Sequence, residues 1–172
     1  LILVMVCLYQ TSFTQTIFIP SDTFNTKRYY TAMTGAGLTY AAFSYGLYQL
    51  WYADYPQSHF RLFNDWNEWE NMDKLGHSFN GYFQSHLIFK GAKWTGLSRQ
   101  KAMWHGVIGA SLFQTTVEVM DGFSAEWGFS VPDIAFNTIG TGIFALQEHF
   151  WQEQRIKLKM SAWLTDYPSG GV

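Results

Sequence analysis

The chain has 172 residues and a formal net charge of −2, with only 14% charged residues beside 48% apolar and 19% aromatic ones. That is enough length for one domain with a real core, too much apolar content for a disordered chain, and too little positive charge for a nucleic-acid binder. The single cysteine, Cys7, excludes a disulfide framework and a cysteine-based zinc site, and low charge with many aromatics points to a membrane or its surface.

No charge occurs in residues 1–21. Residues 1–8 (LILVMVCL) read as the apolar core of a secretory signal and residues 11–16 (TSFTQT) as its cleavage region, so residues 1–19 are a signal peptide or an N-terminal apolar segment. Val6 is not the small residue that a lipoprotein cleavage site needs before Cys7. The rest divides into one helical domain over residues 20–163 and a tail, 164–172, that reads as truncated.

After Lys27 and Arg28, residues 29–53 carry no charge over 25 positions, long enough for a membrane-crossing helix or a fully buried one. Trp51, Tyr52 and Tyr55 cluster at its end as interfacial aromatics do. Residues 54–71 form a loop or short surface helix, with Pro56 as a breaker and Asp65 and Glu68 spaced as a helix-start capping pair. Three further helices follow, over about 72–89, 99–120 and 130–155. Ser98 caps the third, while Ser130, Pro132 and Asp133 open the fourth. Their charge-free runs, 75–89, 102–117 and 134–147, are short for lone lipid-exposed spans. No convincing strand occurs. The fold class is therefore all-α, a bundle of four main helices, membrane-embedded or membrane-associated.

Charge is partitioned along the bundle. Asp54, Asp65, Glu68, Glu70, Asp73, Asp121, Glu126 and Asp133 fall at one end; Lys90, Lys93, Arg99, Lys101, Arg155, Lys157 and Lys159 fall at the other. If the helices span, the basic end is cytoplasmic, which conflicts with a cleaved signal that leaves Lys27 and Arg28 outside.

The polar constellation lies at the acidic end. Asp73 and His77 are four apart on one helix, Glu118 and Asp121 three apart on the next, and Asp133 and Asn137 four apart on the last. Each pair shares a helix face. In an up-down bundle Asp73, Asp121 and Asp133 meet at the rim, and His77, Glu118 and Asn137 lie one turn deeper, about 5 Å. Lys74 and Glu126 reach the same rim. Three readings stay open: a structural ion cluster, a ligand site built from Asp73, Lys74, His77, Glu118, Asp121, Asp133 and Asn137, and a catalytic site. In the last, His77, Glu118 and Asp121 hold a divalent metal, or His77 and Glu118 act as an acid/base pair. His59, His86, His105 and His149 read as scattered surface or core residues, and Gly106 and Gly140 as close-packing positions.

The run Trp66-Asn67-Glu68-Trp69-Glu70 before Met72-Asp73-Lys74 and His77 resembles the start of the YfiM-like predicted periplasmic lipoproteins, an uncharacterised envelope family. So do Trp94-Thr95-Gly96-Leu97-Ser98, the block from Glu118 through Asp121-Gly122-Phe123-Ser124-Ala125-Glu126-Trp127-Gly128-Phe129-Ser130, and Asp133 with Asn137 and Gly140. The likeness is strongest to Bacteroidetes-type members and covers residues 29–163. The order Asp-Lys-x-x-His, Glu, Asp-x-x-x-Asn is also similar to VanZ-like membrane proteins. The resemblance marks Asp73, Lys74, His77, Glu118, Asp121, Asp133 and Asn137 as signature positions. It implies a bacterial cell-envelope location, in a membrane or on its periplasmic side, and no particular activity. The expected function is a non-enzymatic envelope protein that binds a ligand or partner at the acidic rim, with membrane lipid, an envelope protein or a second copy as partners. The alternative is a metal-dependent or acid/base hydrolase of a lipid-linked envelope substrate.

Overall fold

The computed structural model describes residues 19–66 and 71–161. The expected signal region up to residue 18, the Glu68 half of the capping pair and the tail from residue 164 lie outside the described residues.

The elements in order are α1 (Thr26–Leu47) continued by a π-helical turn (Tyr48–Tyr52), β1 (Leu62–Phe63), α2 (Met72–Trp94), α3 (Arg99–Gly122), β2 (Phe129–Ser130) and α4 (Val131–Phe150). The all-α expectation holds, with one addition. Strands β1 and β2 pair in parallel, Leu62 with Phe129 and Phe63 with Ser130, because the loop that crosses the end of α3 finds backbone partners there. The Phe129 N–H, for example, donates to the Arg61 carbonyl at 3.0 Å.

Helix starts follow local chemistry. Asn25 Oδ1 accepts from the Arg28 N–H at α1, Ser98 Oγ from that of Lys101 at α3, and Ser130 Oγ from that of Asp133 at α4. Helix α2 stops at Thr95, and Gly96 follows with φ +84°, where a side chain would also strike the Thr23 carbonyl. Helix α4 ends five residues short of the expected 155. The chain turns at Gln152 (φ 54°), and Gln154 folds back to donate to the Phe144 carbonyl at 3.1 Å and to Glu148 Oε1 at 2.8 Å.

Helices α2, α3 and α4 pack as an up-down bundle around Tyr82, Phe89, Ala92, Leu97, Ala102, Met103 and Phe144. Glycines let backbones touch. A Cβ on Gly140 would lie 2.0 Å from the Ser78 carbonyl, one on Gly81 2.5 Å from that of Asn137, and one on Gly106 2.5 Å from that of Ser85. Helix α1 lies outside this trio, running parallel to α3. Tyr29 Oη meets His105 Nε2 at 3.3 Å, Tyr40 Oη meets Thr116 Oγ1 at 2.6 Å, and Tyr52 Oη donates to Asp121 Oδ1 at 2.5 Å.

The membrane-crossing reading of residues 29–53 is corrected. Among the described residues, no helix is long and apolar enough to cross a membrane, because threonine, serine and glycine dilute the apolar content of α1. Helix α1 nonetheless buries none of its residues and exposes Tyr30, Met33, Leu38, Phe43 and Tyr45. The bundle shares this inversion. Lys74, Ser78, Ser85, Gln114, Glu118, Asp133, Asn137 and Glu148 are buried, while Phe83, Leu87, Trp104, Ile108, Leu112, Ile139 and Leu146 are exposed.

Candidate functional site

The acidic ends of α2, α3 and α4 converge. The first turn of α2 supplies Asp73 and Lys74, and that of α4 supplies Asp133. The loop before α2 returns across the end of α3, held by Ser58 N–H to the Phe123 carbonyl (2.8 Å) and Arg61 N–H to that of Gly122 (2.9 Å). That return brings Asp65 into the cluster.

Lys74 is the hub. Its side chain is 1% exposed, and its ammonium lies 2.5 Å from Asp133 Oδ1, 2.6 Å from Asp65 Oδ2 and 3.0 Å from Asp73 Oδ2. Three N–H donors meet three carboxylates, which saturates the ammonium. Burial alone would make Lys74 less basic, but the bonds to Asp133, Asp65 and Asp73 outweigh it and raise its pKa. Asp65 is held further by Ser130 Oγ, which donates to its Oδ1 at 2.7 Å. Burial pushes the Asp65 carboxyl up, yet its bonds to Lys74, Asp133 and Ser130 bring it below the ordinary value.

His77 sits one turn deeper than Asp73. Its Nε2 faces Asp73 Oδ1 at 3.4 Å and Asp133 Oδ2 at 3.6 Å. Its Nδ1 is 3.2 Å from Asn137 Oδ1 and 3.8 Å from Glu118 Oε1. Burial disfavours the imidazolium, but the hydrogen bond to Asp73 and the charges of Asp133, Asp73 and Glu118 prevail and lift its pKa to about 9. Asp73 is driven well below the usual carboxylate range, first by its bond to His77 and then, against partial burial, by Lys74.

Glu118, 1% exposed, accepts the Ser130 N–H on Oε2 at 3.3 Å. Its Oε1 is buried without a hydrogen-bond partner, as is Asn137 Nδ2. Burial, reinforced by the Asp133 charge, raises Glu118 to about 8, so it is largely neutral at pH 7. Burial likewise raises Asp133 to about 6 against the pull of Lys74.

The structure thus brings Asp73, Lys74, His77, Glu118, Asp133 and Asn137 together. It leaves Glu126 exposed at the surface. Asp121 lies to one side, where Tyr52 Oη holds its Oδ1; burial raises both pKa values, and the shared proton stays on the phenol. Donor atoms that come within 4.8 Å of one another belong to Asp73, His77 and Asp133, a different set from the expected His77, Glu118 and Asp121. Glu118 faces the opposite ring nitrogen, and Asp121 is taken by Tyr52.

Asp65 and Ser130 in the cluster, and Tyr52 at its edge, are residues that sequence reasoning missed. Asp65 and Ser130 were legible only as caps, and Tyr52 as an interfacial aromatic. Beside the cluster lies an open groove of about 460 Å³ lined by Leu62, Phe63, Asn64, Trp66, Val131 and Pro132. Asn64 and Pro132 directly precede Asp65 and Asp133.

No curated protein and no solved structure matches the chain. A family model described as predicted periplasmic lipoprotein (DUF2279) matches residues 62–149, from β1 to the last turn of α4, and so contains every member of the Lys74 and His77 clusters. With half of its length matched, the chain belongs to this predicted periplasmic lipoprotein family, and its place is the cell envelope on the periplasmic side of a membrane.

Proposed function

We propose that the chain is a non-enzymatic envelope protein that rests against lipid through its apolar exterior and binds a ligand at the charged end of its bundle. The observation that carries the ligand-binding reading is the pair of unpartnered atoms flanking His77, Glu118 Oε1 and Asn137 Nδ2. A cluster built only to hold helices together pairs its buried polar atoms, because each one left alone costs about 1–3 kcal/mol. Unused bonding capacity at the charged end of the bundle supports a bound molecule. The neighbouring apolar groove supports a ligand with an apolar part beside a polar head.

The lipid reading is supported by α1. Leu38 on α1 is 68% exposed and Leu50 on the π-helical turn that continues it 86%; α1 buries no residue, and no charge lies between Arg28 and Asp54. An exposed apolar stripe of this size marks an interaction surface.

Native mass spectrometry of protein isolated from membranes tests the first part. A non-covalent ligand mass is expected on the wild type and not on a folded His77→Gln variant; bare wild-type protein refutes it. Flotation with phosphatidylethanolamine–phosphatidylglycerol vesicles tests the second. The wild type is expected to float and Leu38→Glu/Leu50→Glu to stay below, whereas equal behaviour refutes lipid contact by α1.

One observation favours the catalytic alternative. Glu118 Oε1 lies 3.8 Å from His77 Nδ1, and burial raises Glu118 to about 8, which leaves a carboxylic acid able to donate a proton at neutral pH. Turnover of a lipid-linked envelope substrate, abolished in Glu118→Gln, would establish it.

A further inference from the structure

We propose that Asp73 Oδ1, His77 Nε2 and Asp133 Oδ2 are the three protein ligands of a divalent transition-metal ion, with zinc the best fit. The inference rests on the reading that the charged end binds a ligand, and it names that ligand's chemistry.

The carboxylates divide their oxygens. Asp73 gives Oδ2 to Lys74 and turns Oδ1 to His77 Nε2; Asp133 gives Oδ1 to Lys74 and turns Oδ2 to the same nitrogen. Lys74 thereby fixes both carboxylates and leaves one oxygen of each free. The two oxygens stand 3.4 and 3.6 Å from the imidazole nitrogen. Zinc–nitrogen and zinc–oxygen bonds of about 2.0–2.2 Å in a tetrahedron separate two ligands by about 3.3–3.5 Å. The nitrogen–oxygen distances already match, and the two oxygens, within 4.8 Å of each other, need to close on an ion by no more than about 1.4 Å.

The outer shell is also in place. A metal-bound imidazole presents a bare nitrogen to the ion and donates its other N–H to an oxygen. Asn137 Oδ1, 3.2 Å from His77 Nδ1, is that acceptor, and it fixes the tautomer that frees Nε2. Behind the ring, on the Nδ1 side away from the ion, buried Glu118 presents Oε1, which makes no hydrogen bond, at 3.8 Å. One nitrogen and two oxygens are a donor set for zinc and similar ions, whereas calcium and magnesium take all-oxygen shells. Three protein ligands leave the fourth tetrahedral position open for water or for a group of the bound molecule.

The test uses the whole chain, stripped with EDTA and titrated with zinc and separately with magnesium by calorimetry. About one equivalent of zinc and no magnesium is expected, as for a single three-ligand site. Asn137→Ala, which removes the acceptor on Nδ1, is expected to weaken zinc by about 10- to 100-fold, and His77→Gln by more than that, with far-UV circular dichroism unchanged. Should His77→Gln unfold, nitrogen-15 histidine spectra of the wild type decide instead: zinc must shift the Nε2 resonance of one histidine and leave the other four in place.

Zinc binding that His77→Gln leaves intact, or the absence of zinc binding by folded wild type, overturns the assignment. Failure of the underlying reading looks different. A ligand mass present on the wild type and lost in His77→Gln, without zinc binding, leaves the ligand site and removes the metal. Neither ligand mass nor zinc ends both.

Discussion

Lys74→Met is the most informative single change, because it keeps most of the buried stem and removes only the ammonium. It leaves Asp65 and Asp133, each 8% exposed in its side chain, facing each other without a cation. Breaking a buried pair by deleting one partner costs about 3–5 kcal/mol. The third partner adds little, since Asp73 is 36% exposed and water screens it. With a urea slope of about 2 kcal/mol/M for a domain of this size, the unfolding midpoint should drop by about 2 M at pH 8 in EDTA, read by tryptophan fluorescence. The loss should shrink at pH 5. Asp133 already sits at about 6 while Lys74 pulls it down, so without Lys74 it rises further, takes up a proton and removes one buried charge. Each unit of that rise returns about 1.4 kcal/mol. The triple variant Lys74→Met/Asp65→Asn/Asp133→Asn should recover most of the stability, because no carboxylate is then stranded. A loss below about 1 kcal/mol at pH 8, or an equal loss at both pH values, would refute the role of Lys74 as the hub.

Other expectations follow from the same geometry. Asp133, Glu118 and His77 sit above their ordinary values of 3.8, 4.5 and 6.5, so the stability each gives is complete below those values and is lost as pH rises through about 6, 8 and 9. Asp73 and Asp65 are lowered, so their contribution is present above 3.8 and lost on further acidification. The EDTA-treated protein should therefore be most stable near about pH 4, and a melting optimum at or above about pH 6 would contradict this. Glu118→Gln should flatten the decline between 4.5 and 8 and make the protein no less stable than wild type at pH 8; a steeper decline in urea titrations would count against a neutral Glu118. Gly140→Ala forces a methyl to within 2.0 Å of the Ser78 carbonyl and should cost about 1–3 kcal/mol or more. Gly142→Ala meets nothing within 4 Å and should raise the melting temperature slightly, since alanine favours helix by up to about 1 kcal/mol. Similar melting of the two variants would mean that α2 and α4 do not touch at Gly140.

Much of this fold was legible because helix punctuation is local. Ser98, Gly96, Ser130 and Pro132 marked boundaries that the structure keeps within a few residues. The end of α4 was not legible, because Gln154 stops it by reaching back to Phe144 and Glu148, a contact made only in three dimensions. Pairing of β1 with β2 was hidden for the same reason: two residues carry no periodicity. In the site, helical spacing put Asp73 over His77 and Asp133 over Asn137. It said nothing of which carboxylate oxygen turns toward which cation. It also could not show that Tyr52, 69 positions from Asp121, would hold one oxygen of that carboxylate at the edge of the cluster. The absence of charge in residues 29–53 signalled apolar surroundings but not depth, since threonine, serine and glycine lower hydropathy without adding charge.

The cluster divides into a part that is finished and a part that is not. Around Lys74 every donor is spent, at 2.5, 2.6 and 3.0 Å, and Ser130 ties Asp65 to the start of α4. That half works as a clasp holding the loop, α2 and α4 in register. Around His77 the distances open to 3.4, 3.6 and 3.8 Å, and Glu118 Oε1 and Asn137 Nδ2 make no hydrogen bond. A clasp gains nothing from such slack, since each unpaired buried atom costs stability. The two halves share Asp73 and Asp133, one oxygen each, so Lys74 sets the position of the oxygens that His77 faces. Lys74→Met and His77→Gln should therefore differ in kind. The first lowers stability with or without a ligand, whereas the second removes the imidazolium's own contribution in the stripped protein and also abolishes the stabilisation that the ligand adds. Thermal melts of both variants, with and without one equivalent of zinc, separate the two roles, and a His77→Gln protein that zinc stabilises as much as it does the wild type, or a wild type that zinc does not stabilise, would make the whole cluster a clasp.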